Sequence, residues 1–427
     1  MQGPSCLTGI YAVHFLGSWQ SASVRPESLS HANRNRGAPP GLHLMHMKIT
    51  RREHLSGLGA AAVSSIFASR WASGLTSGDA QPTLREAATH AGLAYGSCSD
   101  EQFRHQPDAY RVLFLKQCAL YAGILAWKHI APNPAEENDS FDPNVAVALD
   151  AGLRLTGAHL LWHEQTPAWL ESLSQAQAQA AAAAHIKRIA GFYRGKCSSW
   201  NVVNEAIHPR DGAPDGLRVD SPLLRSLGPD YFETAFREAR AADPGALLLY
   251  NDYDLELDTQ DQSDRRSALF HLLDRLKKAQ IPIDGVGLQS HLKFAHFGDF
   301  NEKNYRGFLH ELAQRGLKIA ITELDVDDRG APPAPDKRDH AVADVYARFL
   351  AVALDEPAVI ALVTWGLVDP YSWLNHPASF PQFVRPDGQP QRPLLFDATF
   401  QPKPAYDAVL HALEQAPVRE RTPGSSQ

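Results

Sequence analysis

Two short strings carry the residues best suited to do chemistry. Trp200-Asn201-Val202-Val203-Asn204-Glu205 and Ile319-Ala320-Ile321-Thr322-Glu323-Leu324-Asp325 each place a glutamate just past a β-branched apolar run, the pattern of a buried strand ending at a carboxylate. Two carboxylates projecting from separate strands into one cleft can act as acid and nucleophile in glycoside hydrolysis, which needs both groups and no cofactor. Glu205 and Glu323 lie 118 residues apart, so a large scaffold must bring them together.

The chain has the size for one. It is 427 residues long, 44% hydrophobic and 21% charged, which suits one large globular domain. The net charge of −7 and the lack of basic runs argue against nucleic-acid or anionic-membrane partners, because phosphates would find no neutralising surface. A neutral polysaccharide or oligosaccharide meets no such objection, and a monomer is expected. No metal or cofactor is called for: no Gly-x-Gly-x-x-Gly follows the first candidate strand, and Cys98, Cys118 and Cys197 match no zinc spacing. Being odd in number, those three cysteines form at most one internal disulfide.

The first eighty residues differ in composition from the rest. Residues 1–46 read as a non-native or disordered extension. Residues 47–80 combine Arg51-Arg52 with a mildly apolar, small-residue stretch that is too short for a membrane span. They read as a twin-arginine export signal cleaved between Ala72 and Ala80, which places the mature protein in the periplasm or outside the cell. A disordered arm with a chance arginine pair is the alternative. Residues 81–415 form the catalytic domain, and 416–427 a disordered tail.

Within 81–415, short β-rich runs alternate with amphipathic helical stretches. The strands expected are Leu93–Ser97, Gln117–Gly123, Arg154–Trp162, Ser199–Asn204, Ala246–Asn251, Gly285–Gln289, Lys318–Thr322 and Ile360–Trp365. Helices are expected over Pro143–Gly152, Gln175–Tyr193, Pro229–Ala242, Asp261–Gln280, Asn304–Arg315 and Lys337–Leu354. Eight strand–helix units predict an α/β fold, a single closed (β/α)8 TIM barrel, with a doubly wound open sheet as the alternative. The barrel explains why polar clusters fall just after strands, since its active site lies at their C-terminal ends.

The motifs resemble those of the glycoside hydrolase family 10 endo-1,4-β-xylanases. The resemblance runs in order through Leu161-Trp162-His163-Glu164-Gln165-Thr166-Pro167, Asn201-Val202-Val203-Asn204-Glu205, Gly287-Leu288-Gln289-Ser290-His291 and Thr322-Glu323-Leu324-Asp325. It continues through Trp365-Gly366-Leu367-Val368-Asp369-Pro370-Tyr371-Ser372-Trp373 and Pro390-Gln391-Arg392-Pro393, covering about residues 90 to 412. It implies retaining, endo-acting hydrolysis of β-1,4 bonds, with xylan as the substrate, Glu205 as acid/base and Glu323 as nucleophile. Retention requires carboxyl groups about 5–5.5 Å apart, and the ionised Glu323 is expected to raise the Glu205 pKa. By the same resemblance Asn204 bonds the sugar 2-hydroxyl, and His291 and Asp325 orient the nucleophile. His163 and Gln289 line the subsite of the sugar under attack, with Trp162 behind His163. Trp365 and Trp373 form a stacking wall, and Tyr253 is a weaker candidate for the cleft wall.

One stretch departs from the family. Where members carry a Glu-Asn-x-x-Lys-Trp string gripping the non-reducing-side sugars, this chain reads Ala122-Gly123-Ile124-Leu125-Ala126-Trp127. Restoring Glu, Asn and Lys at 122, 123 and 126 is therefore expected to improve xylo-oligosaccharide binding, with Lys128 as a displaced substitute. The departure also motivates two further readings: a hydrolase of an exopolysaccharide or aryl or small β-glycoside, and a non-catalytic carbohydrate-binding barrel.

Overall fold

The computed structural model describes residues 81–99, 103, 106–134 and 143–419. The expected signal segment and N-terminal extension lie outside them. Eight parallel strands form the wall: β1 Ala94–Cys98, β2 Leu120–Ile124, β3 Arg154–Ala158, β4 Cys197–Asn204, β5 Leu247–Asp252, β6 Gly285–Leu288, β7 Lys318–Asp327 and β8 Val359–Thr364. Each pairs with its successor, and β8 returns to β1 through Ala94↔Ala361 to Ser97↔Thr364, which closes the barrel. The chain folds as a (β/α)8 barrel, with no free sheet edge in its wall.

The expected helices form with small shifts at their ends, such as Gln175–Phe192 and Pro335–Ala353. Ser174 starts the first of these because its hydroxyl accepts from the Gln177 N–H while the Gln177 side chain accepts from the Ser174 N–H, satisfying two orphan donors. Strands face these helices with large side chains. Trp200 on β4 is fully buried, donates to Asp243 Oδ2 at 3.0 Å and lies over Gly157, where a Cβ would stand 2.3 Å from its ring.

Several boundaries differ from expectation: β2 starts at Leu120 and not at Gln117, because Gln117 still belongs to the helix Asp108–Gln117, and three others have equally local reasons. The run 154–162 is not one strand: β3 stops at Ala158, the Leu160 N–H bonds the Asn201 carbonyl at 2.9 Å, and Leu161–Trp162 pairs separately with Val203–Asn204. Glu323 does not end its strand either. β7 continues to Asp327 because the short strand His291–Lys293 pairs with Asp325–Asp327 and satisfies that backbone. The tail expected from 416 is fastened as far as Arg419, whose N–H donates to the Ala91 carbonyl at 3.1 Å and whose guanidinium caps the carbonyls of Leu354 and Glu356. The rest of that tail lies outside the described residues.

Cys98, Cys118 and Cys197 are all buried, and no disulfide joins them. Among the described residues no helix is long and apolar enough to cross a membrane.

Candidate active site

Glu205 follows the last residue of β4 and takes a left-handed backbone, φ 56°, which few non-glycine residues adopt. That turn directs its carboxyl across the barrel mouth. Oε2 accepts from the Trp162 indole N–H at 2.9 Å, and Oε1 from the Gln289 amide at 2.9 Å. Trp162 thus touches the carboxyl directly instead of only backing His163.

Glu323 projects from within β7 and is 4% exposed. Oε1 accepts from Asn251 Nδ2 at 2.9 Å and lies 3.7 Å from His159 Nε2; Oε2 lies 3.3 Å from His291 Nε2. His291 bonds Asp325 Oδ1 through Nδ1 at 2.9 Å, and the Trp373 indole donates to Asp325 Oδ2 at 2.6 Å. The expected orienting pair is therefore assembled, with Trp373 fixing its far end.

A relay of amides links the two carboxylates. Asn251 Nδ2 donates both to Glu323 and, at 2.8 Å, to Asn204 Oδ1, which also lies 3.4 Å from Gln289 Nε2. Asn251 is itself held through Oδ1 by the Thr322 hydroxyl at 2.8 Å. Gly287 makes the space: a Cβ there would stand 2.1 Å from Asn251 Oδ1. With its oxygen engaged, the buried Asn204 amide keeps a nitrogen without a protein partner, a donor suited to a sugar hydroxyl.

The environments push the two glutamates apart. Burial raises the Glu205 pKa, with Asp252 and Glu323 adding to it against Gln289 and Arg218. The neighbouring carboxylate contributes, as expected from sequence, but burial is the main cause. Burial would raise Glu323 too, yet the His159 and His291 imidazoles outweigh it and bring it down to about 2. His291 in turn rises to about 10: desolvation opposes its charge, and Asp325 and Glu323 overcome that. The arrangement holds Glu323 ionised beside an imidazolium at neutral pH and makes Glu205 the easier of the two to protonate, the kind of division that acid and nucleophile roles require.

Not every expected residue stands where sequence placed it. The histidine beside Glu323 is His159, in the break after β3; His163 lies edge-on to Trp162 at 6.1 Å, with Nε2 3.8 Å from Glu164 and no hydrogen bond to a protein group. Tyr253 is not a cleft wall, being 6% exposed beneath the Arg265 guanidinium at 4.2 Å. Trp373 packs between His291, Phe380 and Phe383, while Trp365 flanks His291 at 6.3 Å. His159 and Asn251 were both missed. The Asn251-Asp252-Tyr253 cluster after a strand was the available signal for Asn251, whereas His159 fell inside a run that alternates like a strand.

The chain belongs to glycosyl hydrolase family 10. The family profile matches residues 83–412, and both Glu205 and Glu323 lie within it. Endo-1,4-beta-xylanase B of Thermotoga neapolitana is 31% identical over 78% of this chain and 92% of its own length. Endo-1,4-beta-xylanase A of Fusarium oxysporum f. sp. lycopersici is 34% identical over 68% and 85%. Among solved structures, xylanase 10B of Thermotoga petrophila in complex with xylobiose superposes with a TM-score of 0.68 at 28% identity, covering 79% of this chain and 99% of that one. This family 10 member is accordingly a glycoside hydrolase.

The departure after β2 is only partly what sequence suggested. Ala122 packs inside the barrel with Cys98, Leu120 and Val363, and Ile124 and Trp365 lie against the same cluster. Gly123 points the other way: a Cβ there would meet Val145 Cγ2 at 2.8 Å, so an asparagine at 123 would press on the helix Pro143–Asp150 and not reach a sugar. Lys128 is held by the Glu164 carbonyl at 3.0 Å. Ile124, at the C-terminal end of β2, is the one residue of that strand that is partly exposed.

Proposed function

We propose that this chain is an endo-acting retaining hydrolase of β-1,4-xylan, with Glu323 as nucleophile and Glu205 as acid/base. The observation that carries this reading is the opposite treatment of the two carboxyls: Glu323 is ringed by Asn251, His159 and His291, while Glu205 sits on Trp162 and Gln289 with its pKa raised by burial. Glu323 attacks the anomeric carbon as Glu205 gives its proton to the leaving oxygen; the resulting glycosyl-enzyme is hydrolysed by a water that Glu205 deprotonates. The free Asn204 nitrogen donates to the 2-hydroxyl, a bond that strengthens as positive charge develops on the ring. Xylan is favoured by the names of the relatives, and export through residues 47–80 belongs to the same proposal.

The test is hydrolysis of xylan beside aryl β-xyloside and aryl β-cellobioside, with proton NMR of the first product. Xylan is expected to release reducing sugar as the β-anomer; an α-anomer formed first would refute retention. Binding of xylo-oligosaccharides without turnover would favour the non-catalytic reading.

A second substrate reading rests on Ile124 and Ala122, which offer no hydrogen bond to a sugar on the glycone side. On the xylan reading, Ile124→Asn adds one hydroxyl contact worth about 1 kcal/mol, lowering KM for xylo-oligosaccharides about fivefold at constant kcat. An unchanged or raised KM, read from initial rates, would favour a less polar glycone.

Glu164 supplies a pH test. Burial, then the nearby Glu205, raise its carboxyl to about 7. Losing the Glu205 charge is therefore expected to let the Glu164 carboxyl titrate below about 7 in Glu205→Gln. An NMR titration in which the Glu164 value stays at about 7 or rises would show the two carboxyls to be uncoupled.

A further inference from the structure

Glu205 pays for its position with a backbone conformation that a glutamate seldom adopts, and the structure holds that conformation from behind. Its N–H donates to the Asn251 carbonyl at 2.9 Å, and the next amide, of Ala206, donates to the Tyr250 hydroxyl at 3.1 Å. Its carbonyl accepts from Arg218 Nε at 3.0 Å, and the Arg218 N–H donates to the Ala206 carbonyl at 2.8 Å. Side chain and backbone of one arginine thus grip the carbonyl of Glu205 and that of the residue after it. Arg218 is 4% exposed and 13 residues further along, brought back by the antiparallel bridge Ile207↔Leu217.

The grip is itself braced. Arg218 Nη2 donates to the Tyr253 hydroxyl at 2.9 Å; the Tyr253 ring lies under Arg265; and Arg265 bonds the Ile207 carbonyl and Asp252, which also takes the Tyr250 hydroxyl. Ordering so many buried charges behind one peptide serves no bond of the barrel wall. We propose that Arg218 is a positioning residue for Glu205, locking its left-handed peptide so that the carboxyl stays on Trp162 and Gln289 in line with the scissile oxygen. Arg218 grips the backbone, its charge also lowers the Glu205 pKa, and it touches no reacting atom. The inference rests on the acid/base reading of Glu205.

Arg218→Gln removes the Nε–H bond and the charge. Its kcat on xylan is expected to fall on the order of 10²-fold, the scale of a misplaced general acid. The decisive readout uses a dinitrophenyl β-xylobioside, whose leaving group needs no proton. With it, the slow step is water attack on the glycosyl-enzyme, which needs Glu205 as base. Azide needs none: it attacks the anomeric carbon, the Glu323 ester oxygen departs with the bonding pair, and a β-glycosyl azide forms. Azide is expected to accelerate Arg218→Gln about tenfold or more, as it does Glu205→Ala, while wild type stays insensitive. Adding Arg218→Gln to Glu205→Ala is expected to cause no further loss on this substrate.

An azide-insensitive Arg218→Gln beside a rescued Glu205→Ala would overturn the proposal, as would additive losses in the double variant. If Glu205→Ala itself is not rescued, the acid/base reading fails and takes this inference with it. Should circular dichroism show Arg218→Gln unfolded, Tyr253→Phe, which removes the Nη2 acceptor and leaves Arg218 in place, carries the same test: azide sensitivity supports the proposal and insensitivity overturns it.

Discussion

Glu323→Ala lowers kcat on xylan and on activated aryl β-xylosides alike, by on the order of 10⁵-fold, the scale on which removal of a catalytic nucleophile is felt. No neighbour can replace it. Asp325 is engaged by His291 at 2.9 Å and Trp373 at 2.6 Å, and Glu205 sits on the side of the proton donor. The loss is independent of the leaving group because formation of the glycosyl-enzyme needs this oxygen whatever departs. The variant also removes one of the two anions that hold the His291 proton, so its imidazole titrates below the wild-type value of about 10. NMR titration measures that shift separately from activity. Wild-type turnover of either substrate by Glu323→Ala would dispose of the assigned nucleophile.

Glu205→Ala behaves differently on different substrates, and the difference identifies its role. On xylan, where the departing sugar oxygen must be protonated, kcat falls about 10²–10⁴-fold. On a dinitrophenyl glycoside the first step survives, the glycosyl-enzyme accumulates for want of a base, and kcat and KM fall together with a pre-steady-state burst. Rapid-quench measurement of the burst is the check. Equal losses on both substrates would mean that Glu205 acts by binding and not by proton transfer.

The same pair sets the response of stability to pH. The folded-state pKa of Glu323 is lowered, so its contribution is present above its ordinary value near 4.5 and is lost as pH falls through about 2. That of His291 is raised, so its contribution is complete below about 6.5 and is lost as pH rises through about 10. Both are present together between about pH 4.5 and 6.5.

Much of the fold was legible in the chain because the barrel repeats one local pattern. Apolar runs such as Val202-Val203 and Ile319-Ala320-Ile321, each followed by a polar cluster, mark strands whose C-terminal ends meet at one mouth, and the family motifs lie on those ends. Residues that break the pattern were harder to read. His159 sits where β3 stops, and nothing in Ala158-His159-Leu160 announces that the Leu160 N–H will turn to the Asn201 carbonyl. Gly123 looked like a lost sugar grip because spacing does not say which face of β2 a residue takes; its contact with Val145 decides that.

By itself the sequence determined the identity of the two carboxylates, the strands that present them and the closed barrel those strands require, because strand periodicity and motif order are local properties of the chain. Only the tertiary structure decided what surrounds each carboxylate. The groups around Glu323 come from Asn251, His159 and His291 on three other strand ends, and the clamp behind Glu205 from Arg218, Tyr250 and Tyr253. Charge state depends on burial and on neighbours a few ångströms away, and closing the barrel brings those neighbours in from up to 164 positions along the chain, the separation of His159 and Glu323.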